Sequence, residues 1–322
     1  TLIFALFPGC KRTSLPAKFR DKATTTGKSE PTKPTEMNRR TTRLAVIPEE
    51  YESWSDVSFT ADGRQVVYIA NTKTSQFVVA ASPEGGSTSP AYERVSWMQS
   101  SLDGKRFAFG GERAGKKLLV VDNKEVPAFS HQEIAPETVT PDGRYFAGEA
   151  GGFREKKWFV FISDGEKVNY RSQAHSSTFR PPFFSPDGRF LVYELGDDRE
   201  KVKNLKTTIF FYDVPNGRIA AQKTFTDTWT GHFSFSSDSS RVVYNVQKDG
   251  KMFFIMHDFE LNRERTVEPA GADRVVDIKL APDGEHVIYT GSSEGKKYVI
   301  VVPWTAPVSY THLRAHETGR NL

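Results

Sequence analysis

Six segments of this chain repeat one pattern, and that repetition constrains the fold more than any other feature. They read FTADGRQVVYIA from Phe59, SSLDGKRFAFG from Ser100, VTPDGRYFAGEA from Val139, FSPDGRFLVYEL from Phe184, FSSDSSRVVYNV from Phe235 and LAPDGEHVIYTG from Leu280. Their turn aspartates, Asp62, Asp103, Asp142, Asp187, Asp238 and Asp283, stand 41, 39, 45, 51 and 45 residues apart. A period of roughly 40–45 residues is the length of one four-stranded propeller blade. The expected fold is all-β, a six-bladed β-propeller of four-stranded blades.

Each copy has the chemistry of a hairpin. A short strand ends in an apolar and a small residue, then the Asp-Gly turn leads into a strand rich in β-branched and aromatic residues. Asp caps such a turn and Gly accepts its positive φ. The fifth copy carries Ser239 where the others have Gly, so its turn is expected to hold backbone strain of about 1 kcal/mol. Third strands are expected at Phe77–Ala81, Lys117–Asp122, Lys157–Ser163, Thr208–Asp213, Met252–Asp258 and Lys297–Val302. Their runs LLVV, WFVFI, IFFY and MFFIM predict burial on both faces, as between neighbouring blades. Phe235 is expected in the core. More polar fourth strands follow, as at Arg218–Thr224 and Arg263–Glu268, but the sixth copy has no room for one before Pro303. The segment Thr41–Ile47, TTRLAVI, reads as a strand that supplies it and closes the ring.

Charge separates the ends from the middle. The net charge is +4, yet residues 1–43 hold ten Lys or Arg against three Asp or Glu, which leaves the repeat region mildly acidic. A nucleic-acid binder carries its basic patch on the folded face, so nucleic acid is not an expected partner. The single cysteine, Cys10, excludes an intrachain disulfide.

The repeat F-S-P-D-G-R-F-L-V-Y is similar to that of TolB-type propellers and, more distantly, to WD-repeat blades; the likeness covers residues 44–302. It implies the propeller fold and a protein or peptide partner. Gly231-His232 resembles the Gly-His pair of WD repeats, which implies a structural role. Residues 1–10, TLIFALFPGC, resemble the end of a bacterial lipoprotein signal, with Cys10 the lipidated residue. Phe7 and Pro8 depart from the usual pattern, and an ordinary export signal or a short apolar terminus are the other readings. The Thr, Lys, Pro and Ser of residues 11–40 suit a disordered tether. Residues 308–322, VSYTHLRAHETGRNL, resemble a translated sequencing adapter, the alternative being a genuine tail. The expected organisation is therefore a signal remnant at 1–10, a tether at 11–40, the propeller at 41–307 and a non-native tail at 308–322. It leaves open whether the natural chain continues beyond Pro307. The expected location is the bacterial periplasm or outer surface, lipid-anchored.

No convincing catalytic motif appears, and no cofactor or metal is expected. Gly291-Ser292-Ser293-Glu294-Gly295 matches G-x-S-x-G, but it falls between two strands of a blade, where a hairpin is expected. His131, His175 and His232 all lie in connections between blades, yet no metal-ligand spacing accompanies them. Propellers bind at the central funnel. The sixth residue before each turn aspartate is expected at its mouth: Asp56, Trp97, Pro136, Pro181, His232 and Asp277. Trp54, Arg180, Trp229 and Arg274 lie nearby, and Trp and Arg are favoured at binding hot spots. The candidate ligand-binding set is Asp56, Trp97, Arg180, His232 and Asp277, with packing between blades the competing role for Trp54 and Trp97. The expected function is a non-catalytic envelope module that binds a peptide or protein partner. The alternative is the propeller of a prolyl-oligopeptidase-like hydrolase whose catalytic domain is missing.

Overall fold

The computed structural model describes residues 47–305 apart from 61–62, 128–132, 153–156, 179, 197–205, 270–273 and 294–295. The described residues form six antiparallel sheets, the six blades of a β-propeller. No helix among them is long and apolar enough to cross a membrane.

Blade 1 holds β1 (Ser53–Phe59), β2 (Val66–Asn71), β3 (Gln76–Ser82) and β4 (Gly85–Thr88). Blade 2 holds β5 (Arg94–Ser100), β6 (Phe107–Arg113), β7 (Lys116–Val121) and β8 (Lys124–Val126). Blade 3 holds β9 (Glu133–Val139), β10 (Phe146–Gly152), β11 (Lys157–Ser163) and β12 (Val168–Arg171). In blade 4 the first strand is split into β13 (Ser177–Thr178) and β14 (Phe183–Phe184), followed by β15 (Phe190–Gly196), β16 (Lys206–Asp213) and β17 (Arg218–Thr226). The split falls at Pro181-Pro182, two residues without an N–H to give the ladder. Blade 5 holds β18 (Thr228–Phe235), β19 (Arg241–Lys248), β20 (Lys251–Asp258) and β21 (Arg263–Val267). Blade 6 holds three described strands, β22 (Arg274–Leu280), β23 (His286–Ser293) and β24 (Lys296–Pro303). First strands of successive blades adjoin, β5 with β9, β9 with β14 and β18 with β22, so this edge of each sheet forms the hub.

Five hydrophobic clusters join consecutive blades. Val67 and Ile69 meet Phe109; Leu119 meets Phe146 and Phe161; Val160 meets Tyr193 and Phe210. Phe211 meets Tyr244 and Ile255, and Phe254 meets Tyr289 and Trp304. The third strands serve two clusters at once: in β7, Leu119 and Val121 turn to blade 3 while Val120 turns to blade 1. That is why LLVV shows no polar alternation. Each such side chain, fully buried, contributes roughly 1.5–3 kcal/mol.

The sixth blade departs from this pattern. β24 alternates instead of being buried on both faces, with Val299 at 66% and Val301 at 44% exposure. Among the described residues no hydrophobic cluster joins blade 6 to blade 1. The free face of blade 1, with Val66, Tyr68 and Val79, is covered by Ile47, Tyr51 and Phe77. Of the expected closing strand 41–47, residues 41–46 lie outside the described residues, and Ile47 packs in that cover. Phe235 is also not a core residue: it is half-buried at the edge of the cluster between blades 4 and 5, and its counterpart Phe59 is exposed.

The Asp-Gly turns share one hydrogen-bond set. The residue two before each aspartate donates its N–H across the turn, as from Ser101 to the Arg106 carbonyl, in all six copies. In blades 2 to 5 its hydroxyl accepts the N–H of the residue five later and donates to the turn aspartate, as Ser101 does with Arg106 and Asp103. Successive turns also stack. A Cβ on Gly104 would lie 1.8 Å from the Thr60 methyl, so that contact requires glycine, while one on Gly143 would lie 3.0 Å from Ser101 Cβ, a close approach. Ser239 adopts φ +57°, as expected of a residue in a glycine position, and its side chain is buried.

An arginine clamp ties two of these turns to the next blade. Arg241 binds Asp258 at 3.1 Å within its blade, then reaches the Gly284 carbonyl and Glu285 of blade 6. Arg106 does the same in blade 2, through Asp122 and the Gly143 carbonyl of blade 3.

Candidate functional site

The first strands at the hub are interrupted by bulges. Between β1 and β2 the register shifts across Asp56 and Val57, and between β5 and β6 across Trp97 and Met98. Glu137 is the extra residue of β9, and His232 that of β18; β22 shifts between Val275 and Asp277. A bulged residue leaves the ladder and its side chain is re-aimed. Asp56, Trp97 and His232 pay for this with positive φ, 49°, 54° and 21°. The residues expected at the funnel mouth therefore lie mid-strand, at or beside the bulges, in blades 1, 2, 3, 5 and 6, while Pro181 lies in the gap of blade 4.

The first strands expose aromatic surface, at the bulge in β5 and in regular register in β1 and β18. Trp97 is 59% exposed, and Trp54 and Trp229, also on first strands, are each 55% exposed. None of the three is packed between blades. Pro136 by contrast is buried.

The structure brings the expected residues together in two pairs. His232 Nδ1 lies 3.9 Å from Asp277 Oδ1, linking blades 5 and 6. Arg180, held in the gap that Pro181-Pro182 opens in blade 4, reaches blade 5: its Nη2 donates to the Thr230 carbonyl at 2.6 Å and its guanidinium lies 5.3 Å from the Trp229 ring centre. Its Nε is 4.0 Å from Oε2 of Glu194, which is only 2% exposed. Thr230 Oγ1 donates to the other Glu194 oxygen at 2.9 Å. Burial raises the Glu194 carboxyl above the ordinary range, against the pull of Thr230 and Arg180. No contact joins Asp56 or Trp97 to these two pairs among the described residues.

Gly231 explains how Trp229 is held. A Cβ there would meet the indole at 2.7 Å and Asn245 Oδ1 at 2.8 Å, so only glycine lets the ring lie over the strand. The Gly-His pair thus divides its roles, Gly231 in packing and His232 on the bulge.

Several hub residues lie outside the expected set. Glu137 on the β9 bulge is pushed up to about 8, by burial first and by the Glu149 carboxylate second. Glu149, Glu194 and Asn245 are buried polar residues at one repeat position, seven after the turn aspartate, where blades 1 and 2 carry Ile69 and Gly110. A polar residue inside AGEA, VYELG and VYNV was the legible signal for them.

The remaining candidates do not assemble. His175 bridges Trp158 at the third strand of blade 3, away from the hub, and His131 and Cys10 lie outside the described residues. No group of three potential metal ligands occurs among the described residues. Ser292 pairs with Lys297 in the β23–β24 hairpin, which has no strand-to-helix elbow. A separate cleft of about 400 Å³ opens on the turn side between blades 2 and 3, beside Arg106, Asp122 and Asp164. Its arginine already donates to Asp122 and to three carbonyls.

No protein-family model and no curated protein matches the chain. Solved structures similar to it include TolB from Acinetobacter baumannii, 15% identical over 80% of this chain and 62% of that one, with a TM-score of 0.33. Hydrazine synthase from Kuenenia stuttgartiensis is 12% identical over 76% and 77%, with a TM-score of 0.38. A putative TolB from Agrobacterium tumefaciens is 13% identical over 79% and 91%, with a TM-score of 0.35. These values assign the chain neither an activity nor a partner.

Proposed function

We propose that this propeller is a non-catalytic interaction module of the bacterial envelope. It takes a peptide or protein partner at its hub through Asp56, Trp97, Arg180, His232 and Asp277, while lipid on Cys10 and the tether behind it hold the module to a membrane. The observation that carries this reading is the exposure of Trp54, Trp97 and Trp229, one on each of three hub strands. Exposed indoles grouped on one element of a fold are costly to leave in water and are typical anchors of binding surfaces. The bulges beneath Trp97 and His232 support the same reading, because they turn side chains out of the ladder at a cost in backbone strain. The resemblance of the repeat to TolB-type propellers points to a protein partner as well.

The test is site-specific photo-crosslinking in cells that make the full chain. A photoreactive residue at Trp97 is compared with one at Ile219, an exposed position on β17. A discrete adduct from position 97 and none from 219 is expected. Equal adducts from both positions, or none from 97, would overturn the reading.

A further inference from the structure

We infer that Arg180 and Trp229 form a subsite for the terminal carboxylate of a peptide, whose last side chain lies on the indole. The inference rests on the partner reading above and names the chemistry of one end of that partner.

The guanidinium is built in from behind. Glu194, almost wholly buried, is held by Thr230 Oγ1 at 2.9 Å and faces Arg180 Nε at 4.0 Å. The Thr230 carbonyl takes the Nη2 proton at 2.6 Å. Nη2 is thus occupied and Nε faces a buried carboxylate without a hydrogen bond to it, and among the described residues Nη1 has no acceptor. The arginine side chain is 30% exposed. A planar fork with one free edge matches a carboxylate, whose two oxygens accept charge-assisted hydrogen bonds.

The indole lies alongside. Trp229 is 5.3 Å from the guanidinium and more than half exposed, and Gly231 keeps it flat on the strand. An apolar surface beside a cation fits a molecule that ends in a carboxylate next to a side chain. Asp277, the other carboxylate of the candidate set, stands 3.9 Å from the His232 ring. An internal peptide segment presents a carboxylate only where it carries Asp or Glu, whereas every chain terminus presents one beside its last side chain, which is why the terminus is the better fit.

The full-length protein, labelled with ¹⁵N in its tryptophans, supplies the readout. Trp229→Phe identifies the indole signal of Trp229. The probes are N-acetyl-leucine and its amide, which differ only in the carboxylate. The acid is expected to shift the Trp229 signal at least about ten-fold more tightly than the amide, and R180Q is expected to bring the two to the same affinity. Equal binding of acid and amide, or a preference that survives in R180Q, overturns the inference. Should R180Q fail to fold, the acid–amide comparison in the unsubstituted chain decides it. A carboxylate-selective shift without the Trp97 adduct overturns the partner reading and leaves the carboxylate site standing. The adduct without selectivity does the reverse.

Discussion

Ser239 Oγ accepts the backbone N–H of Asp187 at 3.3 Å, so the one turn without glycine is bonded to the turn of the preceding blade. Ser239 holds φ +57°. Its strain and its hydrogen bond therefore act against each other. Ser239→Ala keeps the strain and loses the bond, and is expected to destabilise by about 1 kcal/mol. Ser239→Gly loses both, so the change is expected to stay within about 0.5 kcal/mol. Urea unfolding of the two variants distinguishes them; equal losses would mean the strain contributes nothing.

The Arg241 clamp couples blades through a buried charge. Asp258 is 4% exposed, and Arg241→Ala leaves it without its cationic partner. The expected cost is about 3 kcal/mol. In a double-mutant cycle with Asp258→Ala the losses are expected to fall short of additive by about 1–3 kcal/mol. Simple additivity would show that the pair does not act as a unit.

Glu137 makes stability fall with rising pH. Its carboxyl stands at about 8 in the fold against an ordinary 4.5, because of burial and then Glu149. The folded state thus holds a proton that the unfolded state has released between these values, and stability declines across that window. Below 4.5 both states are protonated and the contribution is flat. Glu137→Gln is expected to flatten the slope of unfolding free energy between pH 5 and about 8. The turn aspartates act elsewhere: Asp103 and Asp238 are drawn below 3.8 by Ser101 and Ser236, and their stabilisation is lost as pH falls through the lowered values. An unchanged slope in the Glu137 variant would place the proton on another group.

Binding and folding are expected to be separable at the hub. Trp97→Ala with His232→Ala removes exposed side chains, so the melting temperature is expected to stay nearly constant while partner capture weakens. Phe211→Ala is the folding control, since Phe211 is 2% exposed in the cluster between blades 4 and 5. It is expected to cost about 3–5 kcal/mol. If the hub pair costs as much, those residues are packing elements.

Lipidation of Cys10 is read by fractionation. The full-length protein is expected in the membrane fraction and its Cys10→Ser variant in the soluble one, because a lipid anchor holds through buried acyl chains. Identical partitioning of both would exclude the anchor.

The blades were legible because their signal is written six times: the Asp-Gly turns and the runs before Asp122, Asp213 and Asp258 all fall where the pattern puts them. The hub was legible only in part. Counting six residues back from the turn finds Asp56, Trp97 and His232, but the bulge slips by one in blade 3, where Pro136 is buried and Glu137 is the extra residue. A count at fixed spacing does not follow a bulge that moves. Arg180 owes its position to a broken strand, which does not follow from the local pattern.

The bulges also determine how such a site can vary. A residue that has left the ladder holds no register, so its side chain can be exchanged without shifting the sheet. On the proposed reading, blades 1, 2, 3 and 5 each offer one replaceable character in a short recognition word, here Asp, Trp, Glu and His. The alphabet is restricted, because φ near +50° at Asp56 and Trp97 disfavours valine, isoleucine and threonine. A partner that changes can be followed by point substitutions at these positions, while the turns and third strands that build the blades stay as they are.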